Sequence, residues 1–220
     1  MATLVRVWDL PTRVFHWALV AAVIGLVTTA QLGGAAMEWH FRFGYLVLSL
    51  LLFRIIWGFA GGHWSRFSNF MFSPRQVLAY LKGQTEHTSP GHNPLGALSV
   101  FAMLLILMLQ VASGLFSDDE IAATGPLAKW ATGAQIAKAT FYHKEIGKLF
   151  ILALVVLHIA AILFYLYRRR LNLVRPMLLG DREFSVTAPE SRDNTASRIG
   201  ALVVWLVCLA LVVGMVRFSA

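Results

Sequence analysis

HKEIGKLFILALVVLH, running from His143 to His158, is the stretch on which the reading of this sequence turns. Two imidazoles bracket an apolar run that continues to Tyr167. From Leu149 to Tyr167 the run is long enough, as a helix, to cross the ~30 Å hydrocarbon layer of a bilayer. Along such a helix the two histidines lie about 22 Å apart, and around it only about 60° apart. They share one side of the helix at opposite ends. An imidazole inside a membrane is costly without a partner and usually marks function.

The rest of the chain agrees with a membrane reading. Hydrophobic residues make up 58% of the 220, charged residues 14%, and mean hydropathy is +0.66. That excludes a disordered chain and argues against a soluble enzyme. Four more apolar stretches run from Val14 to Leu32, Phe41 to Phe59, Leu95 to Phe116 and Ile199 to Phe218. The expected fold is all-α: a four-helix membrane bundle over residues 1–168, a polar loop over 169–197, and a fifth transmembrane helix over 198–220. The first stretch is too long, and Thr28-Thr29-Ala30-Gln31 too poor a cleavage site, for a signal peptide. The single cysteine, Cys208, lies in an apolar run, so the chain can form neither an internal disulfide nor a thiolate metal site.

The net charge of +8 does not point to nucleic acid, because the basic residues flank apolar runs. Twelve of them fall on one side: Arg6, Arg13, Arg66, Arg75, Lys82, Arg168, Arg169, Arg170, Arg175, Arg182, Arg192 and Arg198. That side is expected to be cytoplasmic. The N-terminus is then cytoplasmic and the C-terminus periplasmic, in a bacterial inner membrane. Opposite lie Lys129 and Lys138, with Arg42, Lys144, Lys148 and Arg217 near helix ends. In the second connection Ser73-Pro74 reads as an N-cap and first-turn proline, and Val77, Leu78 and Leu81 predict a short surface helix. The fourth connection, 168–198, reads as a mobile loop.

Placed on this topology, His16 and His158 fall near the inner face, and His40 and His143 near the outer face. Two neutral imidazoles from different helices can ligate one haem iron from opposite sides. The depths pair His16 with His158 and His40 with His143, giving two stacked haems. Gly44 and Gly147 each lie four residues after an outer histidine, where a small residue leaves room for a porphyrin edge. Ala160 and Ala161 lie near His158. Arg13, Arg42 and Lys144 are candidate partners for haem propionates. Arg54, within the second span, is another; snorkelling to the surface is its alternative. Spacing alone leaves two readings open, bis-histidine haem or four structural histidines. Zinc or copper fits poorly, because each depth offers two ligands and no thiolate or carboxylate cluster. His63 and His87 read as solvated loop residues, and His92 as a boundary residue.

Several blocks together resemble bacterial cytochrome b561 proteins. They are Arg6-Val7-Trp8-Asp9-Leu10-Pro11-Thr12-Arg13-Val14-Phe15-His16-Trp17, His40-Phe41-Arg42-Phe43-Gly44-Tyr45, Phe53 to Phe59, Arg66-Phe67-Ser68-Asn69-Phe70, Gly91-His92-Asn93-Pro94-Leu95-Gly96, and His143 through Ala161. The resemblance covers about residues 5 to 168, in family order. It implies a haem-b bundle related to the cytochrome b subunits of hydrogenases and formate dehydrogenases, with ligand roles for His16, His40, His143 and His158. It also implies electron exchange with membrane quinone. The count from His143 to His158 is one residue longer than the family's spacing, and a π-bulge in helix 4 would absorb it. The fifth span lies outside the pattern.

The expected function is therefore a di-haem b-type cytochrome moving electrons between the quinone pool and a protein partner such as a c-type cytochrome. The alternatives are a cytochrome b anchor subunit of a hydrogenase or dehydrogenase, and a superoxide:quinone oxidoreductase. A haem-free transporter or structural subunit is the rival from another class. The chemistry needs no nucleophile; quinone needs proton carriers, for which His92, Glu38, Glu145 and Asp118 to Glu120 are candidates.

Overall fold

The computed structural model describes residues 3–85, 89–118, 123–185 and 187–219; His87, Asp119 and Glu120 fall outside them. The chain begins with a short strand, β1 (Thr3–Arg6), followed by the long helices α1 (Leu10–Leu32) and α2 (Met37–Ala60). A surface helix α3 (Pro74–Leu81) precedes α4 (Pro94–Leu115). Next come α5 (Gly133–Phe141), a π-helical turn (Tyr142–Gly147) and α6 (Lys148–Tyr167), which run on without a break. A short α7 (Val174–Leu179), the strand β2 (Asp181–Phe184) and α8 (Thr195–Ser219) complete the chain. Among the described residues, five helical segments are long and apolar enough to cross a membrane: Leu10–Leu32, Gly34–Ala60, Pro94–Leu115, Gly133–Tyr167 and Thr195–Ser219. They match the five expected spans.

Local chemistry sets the boundaries. Gly33 and Gly34 both take positive φ (62° and 52°), which lets α1 turn into α2 within a few residues. The α3 prediction holds: Ser73 caps it in a reciprocal capping box with Gln76, and Pro74 occupies its first turn. The fourth span starts earlier than its apolar run suggests. Thr132 and Gln135 form a second capping box, so the helix begins at Gly133 and His143 lies a full ten residues inside it.

The chain divides into two compact units, and each boundary falls inside a long helix. The first comprises residues 1–15, 54–102 and 156–203; the second comprises 16–53, 103–155 and 204–220.

The second unit has an apolar core of Ala22, Val47, Leu48, Leu51, Leu107, Val111, Leu115 and Val212. Val212 comes from α8, so the fifth helix is part of this core rather than a loose appendage. Large apolar side chains on the outside, such as Leu105, Leu149, Phe150 and Leu211, are what lipid as solvent requires.

The first unit is built around buried polar groups. Asp9 is fully buried and accepts hydrogen bonds from the Thr12 N–H (2.8 Å), the Gly62 N–H (2.9 Å), Ser65 Oγ (2.9 Å) and Trp57 Nε1 (3.2 Å). β1 and β2 pair antiparallel, Arg6 opposite Asp181, and these two side chains form an ion pair at 2.7 Å. Ser191 donates to the Val7 carbonyl at 2.6 Å, and Trp64 Nε1 donates to the Pro189 carbonyl at 2.8 Å. Asp193 gathers Arg6 (3.3 Å), Arg13 (3.8 Å), Arg198 (2.9 Å) and the Leu10 N–H (3.1 Å). The expectation of a mobile loop over 168–198 is thus corrected. Its described residues carry a strand, a helix and a carboxylate two of whose arginine partners, Arg6 and Arg13, lie far away in sequence, and residue composition alone could not reveal such partners.

Candidate functional site

Four elements of the second unit, α1, α2, α4 and the π-turn, bring His40 and His143 together. Their ring centres are 6.1 Å apart and their planes cross at 87°. His40 Nδ1 lies 3.1 Å from the Leu26 carbonyl and 3.3 Å from Thr29 Oγ1, both on α1. His143 Nδ1 lies 2.9 Å from the Gln110 carbonyl and 3.4 Å from Ser113 Oγ, both on α4. A carbonyl oxygen only accepts, so each Nδ1 carries the proton and each Nε2 presents a lone pair. That arrangement fixes tautomer and ring orientation in histidines that ligate metals.

The π-turn Tyr142–Gly147 contains His143. Such a turn takes one residue more than an α-helical turn, and here it carries His143 near its start. Gly114 on α4 completes the seat: a Cβ there would fall 2.7 Å from the His143 ring. The residues that seat the two histidines, Leu26, Thr29, Gln110, Ser113 and Gly114, escaped sequence reasoning. Their signal is a backbone carbonyl, a missing side chain or a lone hydroxyl in an apolar run, and none of these reads as chemistry in a sequence.

The other predicted residues divide by surroundings. Gly44 opens on empty space, as a porphyrin edge needs, whereas Gly147 packs against the Gln110 side chain and the Tyr142 ring. Arg42 is ion-paired with Glu38 one turn away and lies over the Trp39 ring at 4.8 Å. Lys144 is exposed. In the first unit Arg13 donates to the Leu178 carbonyl at 2.6 Å. Arg54 is buried in α2, 3% exposed, with its guanidinium 4.7 Å from the Phe67 ring and its Nη1 without a hydrogen-bond partner among the described residues. His16 lies on α1 with its ring edge-on to Trp17 at 5.0 Å, and His158 lies half-buried on α6. His92 is held between Trp8 (4.7 Å) and Phe70 (4.6 Å). His63 is half-buried rather than fully solvated, and packs on Trp64 at 4.7 Å. Burial, aided by the Arg66 charge, lowers its pKa from the ordinary histidine value.

Residues 7–180 match the family model for prokaryotic cytochrome b561. The chain belongs to the prokaryotic cytochrome b561 family. It resembles a protein of Bradyrhizobium diazoefficiens named "Probable Ni/Fe-hydrogenase B-type cytochrome subunit", with 23% identity over 220 residues, covering 82% of this chain and 86% of the relative. A protein of the same name from Azotobacter vinelandii is 26% identical over 133 residues, covering 47% of this chain and 55% of the relative. Its counterpart in Azotobacter chroococcum matches to the same extent. No solved structure matches the chain. Residues 181–220, with β2, the Asp193 cluster and α8, lie beyond the family match.

Membership in this cytochrome b561 family makes the protein a membrane electron carrier and haem b its cofactor class. The residues fit that group. An iron holding one imidazole on each side, at about 2 Å per bond, separates the two ring centres by roughly 6 Å. The observed 6.1 Å agrees. Among the described residues no three His, Cys, Asp or Glu side chains gather as a bare metal site would need.

Proposed function

We propose that the chain is the haem-b membrane subunit of a larger oxidoreductase, and that it carries electrons between a redox protein partner and quinone in the bilayer. The observation that carries this reading is the His40–His143 pair, 6.1 Å apart with both Nδ1 atoms tied to backbone carbonyls. The names of the relatives support the partner, since each is called a hydrogenase cytochrome subunit. His40 and His143 would hold one haem through their Nε2 atoms. A second haem is proposed on the sequence alone, through His16 and His158. Bound haem supplies one-electron iron chemistry; the protein holds the ligands in one tautomer, excludes water and sets the local field. Arg54 is a buried cation with a donor to spare, and suits a haem propionate. The arginine distribution supports an inner-membrane protein with its N-terminus in the cytoplasm.

The test is purification from native membranes in mild detergent, with a reduced-minus-oxidised spectrum, a haem-to-protein ratio and identification of co-purifying chains. Two b haems per chain with an iron–sulfur partner support the proposal. A folded chain without haem overturns it. A haem-loaded chain that purifies alone and reduces a c-type cytochrome replaces the complex with a stand-alone carrier.

A further inference from the structure

The twelve basic residues that the sequence places on one side of the membrane divide into two groups. Arg6, Arg13 and Arg198 pair with Asp193, while Arg66, Arg182 and Arg192 donate to the carbonyls of Gly61, Pro90 and Ala60. The other six, Arg75, Lys82, Arg168, Arg169, Arg170 and Arg175, are exposed, and their side chains meet no hydrogen-bond acceptor or carboxylate among the described residues. All six belong to the first unit. They lie on or beside α3, or at the corner where α6 ends and α7 begins. We propose that α3 and this corner form a binding site for an anionic phospholipid of the adjoining leaflet.

Polar contacts join the two segments into one site. The hydroxyls of Tyr80 on α3 and Tyr165 on α6 are hydrogen-bonded at 3.1 Å. Asn93 donates to the Tyr165 hydroxyl at 2.6 Å and accepts from the Gly96 N–H at the start of α4. The short helix is therefore docked on the end of α6. Burial and the Tyr165 hydrogen bond push the Tyr80 phenol up to about 12, and the charge of Arg169 close by opposes that rise. The phenol stays neutral, so it leaves the Arg169 charge uncompensated beside α3. Arg170 has a left-handed φ of 55°, the one positive φ outside glycine among the described residues. Glycine takes that conformation at no steric cost, and here the chain keeps a cation instead.

Charge and apolar exposure together choose the occupant. On α3, Leu78 and Leu81 are 51% and 60% exposed. Arg75 and Lys82 border them, and helical spacing puts all four within an arc of about 120°. On α7, Leu178 and Leu179 are exposed a turn after Arg175. An inorganic phosphate or an acidic protein would leave these leucines in water. A phospholipid covers them with acyl chain while its phosphate accepts from the guanidinium groups. Leu163, Phe164 and Tyr167 share one exposed face of α6 just before the arginine triad, and they continue that apolar wall toward the hydrocarbon. Clusters of roughly four to eight cations beside a spanning helix attract anionic headgroups, by about fivefold in affinity per cation near the surface.

The test uses the full chain in detergent with an equimolar mixture of phosphatidylglycerol and phosphatidylcholine, and counts bound lipid by native mass spectrometry. The wild type should retain phosphatidylglycerol over phosphatidylcholine by at least about tenfold. Arg168→Gln, Arg169→Gln and Arg170→Gln combined should bring that preference to within about twofold of parity. Lys129→Gln, Lys138→Gln and Lys148→Gln combined remove the same charge from three exposed lysines of the second unit and should leave it unchanged. A phosphatidylglycerol with a diazirine in its headgroup should label peptides within residues 75–82 or 163–175 of the wild type, a readout that needs no variant to fold. Equal retention of both lipids, labelling elsewhere, or an equal fall in both triple variants overturns the site. Displacement of the lipid by glycerol phosphate, which has the phosphate and no acyl chain, makes it an ion site and overturns the lipid.

Discussion

Where the second unit buries leucine and valine, the first buries carboxylates. The second unit's core is Val47, Leu51, Leu107 and Val212 with their neighbours, beside which the pair of histidines is held by backbone carbonyls. The first unit is tied by Asp9 and Asp193, each collecting several donors from distant parts of the chain. The contrast shows two ways to stabilise a membrane protein. In apolar surroundings, shape and dispersion hold the helices, and polar groups survive only where function uses them. Where loops must fold, buried carboxylates satisfy backbone and indole N–H groups that would otherwise be stranded.

Predictions that break this contrast run from large to small. His40→Ala or His143→Ala should remove one haem per chain while the other remains, seen in the haem-to-protein ratio; full haem content in either variant would sink the ligand pair. Asp9→Ala strands several buried donors and should cost about 3 kcal/mol, lowering the thermal midpoint in detergent, whereas a comparable surface change should do little. Gly114→Ala crowds the His143 ring and should cost about 1–3 kcal/mol or shift the haem spectrum, because α4 cannot recede without opening the core.

The smallest effect concerns acid. Burial alone would raise the Asp193 carboxyl, but hydrogen bonds from Arg198 and the Leu10 N–H, with the charges of Arg198 and Arg6, outweigh it and hold the pKa below the ordinary carboxylate value. Its contribution is then fully present above that ordinary value and is lost as pH falls through the lower folded value. Melting curves from neutral pH down to about pH 3 should show this decline in the wild type, and Asp193→Asn should flatten it.

Much of the molecule was legible in the sequence because lipid imposes simple rules. Five apolar runs became five spanning helices, and Ser73-Pro74 became a capped helix start. The resemblance allowed a π-bulge in the fourth helix, and a π-turn lies over Tyr142–Gly147. The early start of the fourth span at Gly133 was hidden, because a capping box outside the apolar run sets it. The roles of Arg13 and Arg42 were only half legible. Their charge was evident, but that Asp193 and Glu38 engage them depends on placement.

The sequence by itself determined the number of spans, since hydropathy and residue count act through the bilayer's thickness and the helix's fixed rise, and its family motifs pointed to the class of cofactor. Only the tertiary structure decided which carbonyl holds each imidazole, and that residues 181–198 fold back onto the N-terminal strand. Those outcomes depend on contacts between residues remote in the chain, and their energy comes from geometry that no local pattern encodes.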